Sequence, residues 1–340
     1  MNKKLISALG LAAFAAAGYA AVVAYSLLGR QFNNEQTAYL YILPGDDMAT
    51  VEQKIRETAR PSCMAGFGLV SRALGLADRL KTGRYEVAPD MNMLGLIRRV
   101  ASHAQTPVNL VVPSVRTVGD MAGRLADKLM LDSADVMRVL TDSDACRRLG
   151  YTTQTVPALF VPNTYQVYWD VTADDLLSRL QRENAAFWTE EREQKARALG
   201  MTHDEVATLA SIVDSETADN AEKPRVAGLY INRLRAGMPL QSDPTVIFAI
   251  GDFSIRRVMH RHTEYDSPYN TYKYAGLPPG PIRIPTIAGI DAVLDHEHHS
   301  YIYMCAKEDF SGTHNFAVSY GEHQQNARRY TQALNNRGIK

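Results

Sequence analysis

The sequence predicts an α+β protein with three parts: an apolar helix long enough to cross a membrane, a small strand, helix, helix, strand unit, and a larger mixed region of helices and short strands. Three observations predict it. Residues 5–28 hold 24 positions without a charge. After them, short runs rich in β-branched and aromatic residues alternate with longer stretches whose apolar residues recur three and four apart. Prolines, glycines and capping residues mark the changes from one to the other. With 340 residues, 46% of them hydrophobic, the chain can hold two or three domains with their own cores.

As a helix, residues 5–28 reach about 36 Å at ~1.5 Å per residue, somewhat more than a ~30 Å hydrocarbon core, so the segment spans with some tilt. Lys3 and Lys4 precede it. The positive-inside rule then places that end in the cytoplasm and everything after Arg30 outside. Ala-x-Ala patterns between Ala15 and Ala21 offer a cleaved signal peptide as the alternative. An uncleaved anchor is expected, because the apolar run continues through Val22, Val23, Leu27 and Leu28, which a signal core of ~7 to 15 residues does not need.

Residues 30–37 read as a polar linker. A strand follows at 39–43, a Pro-Gly-Asp-Asp turn at 44–47, a helix at 48–60 with Val51 and Ile55 inward, a second helix at 67–79, and a strand at 83–87. A strand, proline, amphipathic helix pattern recurs at 85–100 and 108–125, too irregularly spaced for a repeat array. Residues 133–148 read as a helix, 155–168 as strand-like, and 174–199 as one long amphipathic helix with Leu176, Leu177, Leu180, Asn184 and Phe187 roughly on one side. Thr202 is placed to cap the helix that follows.

That next helix carries the first chemistry. Val206, Leu209, Ala210 and Val213 form its apolar stripe at i, i+3, i+4 and i+7. Glu216 continues the stripe, with Val213, Ile212 and Leu209 three, four and seven positions back. Partial desolvation disfavours the charged carboxylate and raises its pKa, which makes Glu216 a candidate general acid. Asp214 has Ser211, Ala210 and Ala207 at the same offsets, small residues that leave room for water or polar groups. After residues 217–220 a new helix begins, with Asn220 as its expected N-cap, Pro224 in its first turn, and Val226, Leu229, Tyr230 and Leu234 as its apolar face. Gly237 closes it.

Gln241, Ser242, Asp243 and Thr245 cluster hydrogen-bonding groups around Pro244. A plain turn would present the same residues. Tyr269, Asn270 and Tyr272 add two aromatic faces and an amide. Residues 276–281, with three prolines, must form a stiff irregular loop that walls a cleft or connects rigidly to a helix at 287–295. Strands are expected at 301–306 and 314–317, where His314 and Asn315 are positioned to touch a ligand, and a largely polar helix at 320–335 covers the end of the fold.

Composition excludes several classes. Lys plus Arg and Asp plus Glu number 37 each, so nothing points to nucleic acid or to a cationic partner. Cys63, Cys146 and Cys305 lack CxxC spacing and read as buried free thiols. His296, His298 and His299 invite a metal reading, yet no HExxH pattern is present and neighbouring loop histidines point apart, so no metal or other cofactor is expected.

The ordered runs LASIVDSET, PRVAGLYINRL, GMPLQSDPTV, SPYNTYKYAGLPPGPI and HNFAVSYGEHQQNARRY closely resemble the YceG-like endolytic murein transglycosylases. The resemblance covers most of the chain after the membrane segment. It implies an anchor at 1–30, a small LysM-like module at 31–105 that binds glycan or acts as a spacer, a connecting α+β subdomain at 106–154, and a catalytic domain at 155–340. The family normally carries two acidic residues one apart in the central helix. The second matches Glu216, and the first is the shorter Asp214 here, which counts against Asp214 as proton donor. The resemblance favours a glycan groove at Gln241, Ser242, Asp243 and Thr245, and Asp214, Tyr269, Asn270, Tyr272, His314 and Asn315 complete the expected substrate-binding residues. It further implies a location at the bacterial inner membrane with the catalytic part on the periplasmic side, where the partners would be peptidoglycan strands and wall-synthesis proteins.

On this reading Glu216 protonates the oxygen between N-acetylmuramic acid and N-acetylglucosamine, and the muramoyl C6 hydroxyl closes a 1,6-anhydro ring. Two other classes stay open. A hydrolytic muramidase would need a second carboxylate such as Asp214 or Asp243 at ~5 to 9 Å. A non-catalytic wall-binding protein is the other, and the Asp at 214 is its sequence support.

Overall fold

The computed structural model describes residues 3–338; Met1, Asn2, Ile339 and Lys340 lie outside the described residues, as do the side chains of Lys3, Lys4 and Leu5, and with them the two charges used above for orientation. The fold is mixed α+β, with the strands of the described residues paired into three two-stranded sheets. Two units divide it, one built on residues up to Asn109 with 128–130 and 166–171, the other on 110–127, 131–165 and the residues from Thr172 onward.

Helix α1 (Lys3–Leu28) carries the membrane-length apolar stretch, Ile6–Leu28, with Leu11 and Phe14 fully displayed. Its last turn is different. Ser26 and Leu27 are buried, Ser26 Oγ accepts from the Gly66 N–H at 2.9 Å, and the Gln31 side chain bonds the Ser26 carbonyl while accepting from the Cys63 N–H. Phe32 joins the same core. Residues 30–37 are therefore not the free linker that their polarity suggested, because Gln31 satisfies buried backbone groups and Phe32 fills a hole.

Strands β1 (Ala38–Ile42) and β2 (Gly83–Val87) pair antiparallel with Leu40 opposite Tyr85, both buried. Between them α2 (Met48–Ala59) starts at Asp47, whose carboxylate accepts from the Thr50 N–H, and buries Val51, Ile55 and Ala59. The single helix expected at 67–79 is two, α3 (Phe67–Ala73) and α4 (Leu76–Arg79), because Gly75 takes φ +59 and ends the first. Helix α5 (Met93–Ala101), capped by Asn92, closes this core with Met93, Leu96, Ile97 and Val100.

Strand β3 (Val108–Val112) leads to α6 (Val118–Ala126) of the larger unit, opened by a Thr117 and Asp120 capping box. The helix expected at 133–148 is α7 (Ser133–Thr141) and α8 (Ser143–Arg148), since an extended Asp142 ends one and caps the other through the Ala145 N–H. A 3-10 turn at Val156–Leu159 precedes β4 (Asn163–Val167), where one strand was expected. Likewise residues 174–199 form α9 (Ala173–Phe187) and α10 (Glu190–Leu199), parted where Thr189 N-caps the second. Each split falls at an Asp, Thr or Gly, residues whose own side-chain hydrogen bonds or φ freedom compete with helix continuation.

The core of this unit is α11 (His203–Glu216), α12 (Lys223–Arg235), α13 (Asp243–Ile250), the short α14 (His260–Thr263) nearby, and α15 (Ile287–Leu294). Val206, Leu209, Ala210 and Val213 are buried as the stripe requires, and burying each larger side chain contributes about 1.5 to 3 kcal/mol. Helix α12 is preceded by Glu222, not Asn220, with Pro224 in its first turn as expected. Strands β5 (Tyr303–Ala306) and β6 (His314–Ala317) pair antiparallel, half-buried on one side by α16 (Tyr320–Asn336). The three cysteines are free, and only Cys146 is buried, Cys63 and Cys305 being half-exposed.

Candidate active site

Glu216 is the last residue of α11, which a Thr202 and Glu205 capping box starts and an extended Thr217 stops. Two neighbours converge on one oxygen of its half-buried carboxyl. The Tyr230 hydroxyl of α12 donates to Oε1 at 2.7 Å, and Ser242 Oγ donates to the same Oε1 at 2.5 Å. Oε2 makes no hydrogen bond among the described residues and is not sealed from solvent. Burial is the largest influence and pushes the carboxyl upward; the Ser242 and Tyr230 donors and the charge of His314 oppose it, and Asp243 adds to it. With Oε1 occupied by two donors, the proton of the neutral acid sits on Oε2, the oxygen open to a ligand.

Each partner is held from behind. Tyr230 is buried and its hydroxyl is pushed well above the ordinary range, first by burial and then by Glu216, so it remains a donor. Two residues before it, Gly228 lets α12 pack closely on the 296–299 segment, where a Cβ would lie 2.3 Å from the Glu297 carbonyl oxygen. Ser242, buried, gives its N–H to Thr271 Oγ1 at 3.0 Å, and Thr245 Oγ1 donates to the Ser242 carbonyl at 2.7 Å. Gln241 before it adopts φ +54, a conformation that costs a non-glycine residue about 1 to 3 kcal/mol, held by its N–H to the Thr271 carbonyl and by Arg233 on its side chain. The expected polar turn at 241–245 is thus the strained entry and first turn of α13.

Of the other sequence-selected residues Ser242 touches Glu216, and His314, Asp243 and Tyr272 lie within electrostatic reach of it. Tyr272 donates to exposed Asp243 Oδ1 at 2.6 Å. His314 is held at two points by Glu222, through its backbone N–H at 2.7 Å and Nδ1 at 3.0 Å. Tyr269, half-buried, packs at a tilt against Phe248, the ring centres 4.9 Å apart.

Four of the sequence-selected residues are turned to other work. Asp214 has a side chain only 2% exposed, paired with Lys223 Nζ at 2.7 Å and accepting from the Thr286 N–H at 2.6 Å and hydroxyl at 2.8 Å. It pins α11, α12 and α15 together, and Gly289 gives it room, since a Cβ there would lie 2.6 Å from its oxygens. The space that the small residues Ser211, Ala210 and Ala207 leave beside Asp214 goes to its own partners, Lys223 and Thr286. Thr245 is fully buried behind Ser242. Asn270, also fully buried, staples its loop by donating to the Thr263 and Tyr265 carbonyls. Asn315 bonds Glu308, because alternate residues of a strand point to opposite faces and His314 takes the face toward Glu222.

Sequence reasoning missed Tyr230, Lys223, Glu222 and Thr271. Tyr230 was counted as apolar packing, and its hydroxyl was the overlooked signal. Removing a donor to the Glu216 anion removes about 1.5 to 3 kcal/mol, or about one to two pH units of titration. Tyr230→Phe and Ser242→Ala should each move the Glu216 carboxyl titration upward by that amount, read by NMR of the labelled carboxyl carbon. An unmoved titration in both would separate these donors from the carboxylate.

The model of the YceG-like family matches residues 40–329. A protein named endolytic murein transglycosylase from Bacillus subtilis (strain 168) is 32% identical over 167 residues, which are 49% of this chain and 45% of that protein. One of the same name from Streptococcus pneumoniae (strain D39) is 24% identical over 331 residues, 86% of this chain and 59% of that protein. The chain thus spans about half the length of the curated relatives it matches. A solved YceG-like protein from Listeria monocytogenes aligns with a TM-score of 0.57 and 25% identity over 86% of this chain and 99% of that one.

Proposed function

The chain belongs to the YceG-like family, and from this we propose that it is a membrane-anchored endolytic transglycosylase of peptidoglycan with Glu216 as general acid and base. The observation that carries the chemistry is the one-sided carboxyl, with Tyr230 and Ser242 on Oε1 and Oε2 left open. Glu216 protonates the oxygen between N-acetylmuramic acid and N-acetylglucosamine through Oε2, and the bond from that oxygen to C1 breaks with oxocarbenium character. The muramoyl C6 hydroxyl then bonds to C1, and its proton returns to Glu216. Nucleophile and electrophile belong to one sugar, so no water and no second carboxylate has to be positioned. Tyr230 and Ser242 stabilise the carboxylate in the interval between the two proton transfers.

Asp243 and Gln241 at the mouth of α13 supply polar contacts for sugar hydroxyls and N-acetyl groups, and the rings of Tyr269 and Tyr272 offer faces for sugars. Helix α1 holds the site at the inner membrane on its periplasmic side. The glycan-binding role of a LysM-like module in residues 31–105 rests on the resemblance of its opening motif.

A hydrolytic muramidase would need a second carboxylate. Asp214 is committed to Lys223 and Thr286, which leaves Asp243. Mass spectrometry of purified peptidoglycan treated with the protein decides between them. Anhydromuramoyl ends are expected; reducing ends would make the protein a hydrolase, and no cleavage would make it a binding protein.

A further inference from the structure

One helical turn beyond Tyr230, on the same face of α12, lies a buried cation. Arg233 is only 8% exposed, and among the described residues no carboxylate pairs with it. Around it lie Tyr230, Tyr272 and Tyr303, with the Tyr303 ring 5.9 Å from its guanidinium carbon, and the His323 ring stacked on Tyr303. Of its three nitrogens, Nη2 donates to the Gln241 amide oxygen at 2.5 Å, Nε is buried without a partner, and Nη1 makes no hydrogen bond among the described residues but is not sealed off. A guanidinium taken out of water needs an anion or a full set of acceptors, and a neutral amide oxygen on a strained residue provides neither. The other buried cation of this unit, Lys223, has its carboxylate at 2.7 Å. Arginine's planar fork is suited to a carboxylate, which it can take in a two-point contact.

We propose that Arg233, one turn along α12 from the Tyr230 that donates to Glu216, forms an anion subsite that binds a carboxylate carried by the glycan strand. This deepens the transglycosylase reading and rests on it. Tyr230 at position 230 and Arg233 at 233 share one face of α12, so the acid's hydrogen-bond donor and the subsite are held by the same turn of helix. Gln241 holds the guanidinium when no strand is bound, and its side chain moves aside for the stronger acceptor, which its exposure permits. The carboxylate comes either from a peptide stem or from the lactyl group of a muramoyl residue that has lost its stem.

The full chain is assayed on three substrates: glycan strands with their stems, the same strands with carboxylates converted to methylamides by carbodiimide, and strands stripped of stems by an amidase. Charge-assisted hydrogen bonds of about 1.5 to 3 kcal/mol correspond to roughly 10- to 150-fold in affinity. Wild type is expected to show a KM at least 10-fold higher on the methylamidated strands, with kcat changed much less. Arg233→Gln should raise KM on the native strands by a similar factor and no longer distinguish them from methylamidated ones. Stripped strands carry a free lactyl carboxylate in place of the stem, so cleavage of them at native KM means that the subsite takes either carboxylate, and a raised KM restricts it to the stem. Equal KM of the wild type on native and methylamidated strands would overturn the subsite, and this comparison needs no variant to fold. Arg233→Gln retaining full discrimination would overturn it too. The chemical nature of the ends, anhydro or reducing, is read in the same digests, so failure of the transglycosylase reading shows separately from failure of the subsite.

Discussion

Glu216→Gln is expected to lower kcat/KM for formation of anhydro ends by about 10²- to 10⁴-fold, the usual contribution of a positioned acid and base. Glutamine keeps an oxygen for the Tyr230 and Ser242 donors but places an amide where Oε2 carries the transferable proton, so the pocket is preserved and the chemistry removed. The same variant should melt at a higher temperature than wild type near pH 8 and lose that advantage near pH 5. Burial raises the Glu216 carboxyl above its ordinary value of 4.5, so the folded state binds the proton more tightly than the unfolded chain. Stability of the wild type is then whole below 4.5 and declines as the pH climbs from there through the folded value, while the glutamine does not ionise. Activity within tenfold of wild type would remove Glu216 from the chemistry. A wild type that gains stability relative to the variant with rising pH would contradict the desolvated carboxyl.

Lys223→Met should destabilise the protein by about 3 to 5 kcal/mol, because it leaves the Asp214 carboxylate buried and unpaired. Both side chains are almost wholly out of water, at 6% and 2% exposure, so screening does not discount the loss. For a unit of this size the melting temperature falls by about 2 to 4 °C per kcal/mol, or about 6 to 20 °C. The double variant with Asp214→Asn removes both charges and should recover most of the difference, since the amide oxygen still accepts from Thr286. Thermal melts of the single and double variants check both statements. A fall below about 1 kcal/mol, the range of exposed pairs, would mean that the pair does not pin the three helices.

The two site candidates whose surroundings the sequence showed least are Asp214 and Asn270. Both were selected as ligand contacts because they are polar and sit beside recognised motifs, and both proved to be saturated by their own chain. In each case the side chain is short, its environment is buried, and the partners come from elsewhere: Thr286 lies 72 positions from Asp214. Helix continuity failed for a local reason. The hydrophobic period ran straight through Gly75, Asp142 and Thr189, but a glycine at positive φ and two capping side chains ended the helices there. A period reports which face is apolar and does not see a change of axis that keeps the face inward.

Sequence alone determined the α+β class, the membrane-length helix, the cap at Thr202, the stripe on α11 and, from that stripe, the desolvation of Glu216. All of these depend on neighbours within about two turns of one element, where spacing sets distance. Only the tertiary structure decided which oxygen of Glu216 is open, because its two donors lie 14 and 26 positions away on other helices. It alone also decided that Lys223 takes Asp214 and that Arg233 has no carboxylate among the described residues. Hydrogen bonds require atoms within about 3 Å at a set angle, and between elements that geometry follows from how the helices pack, which no residue spacing encodes.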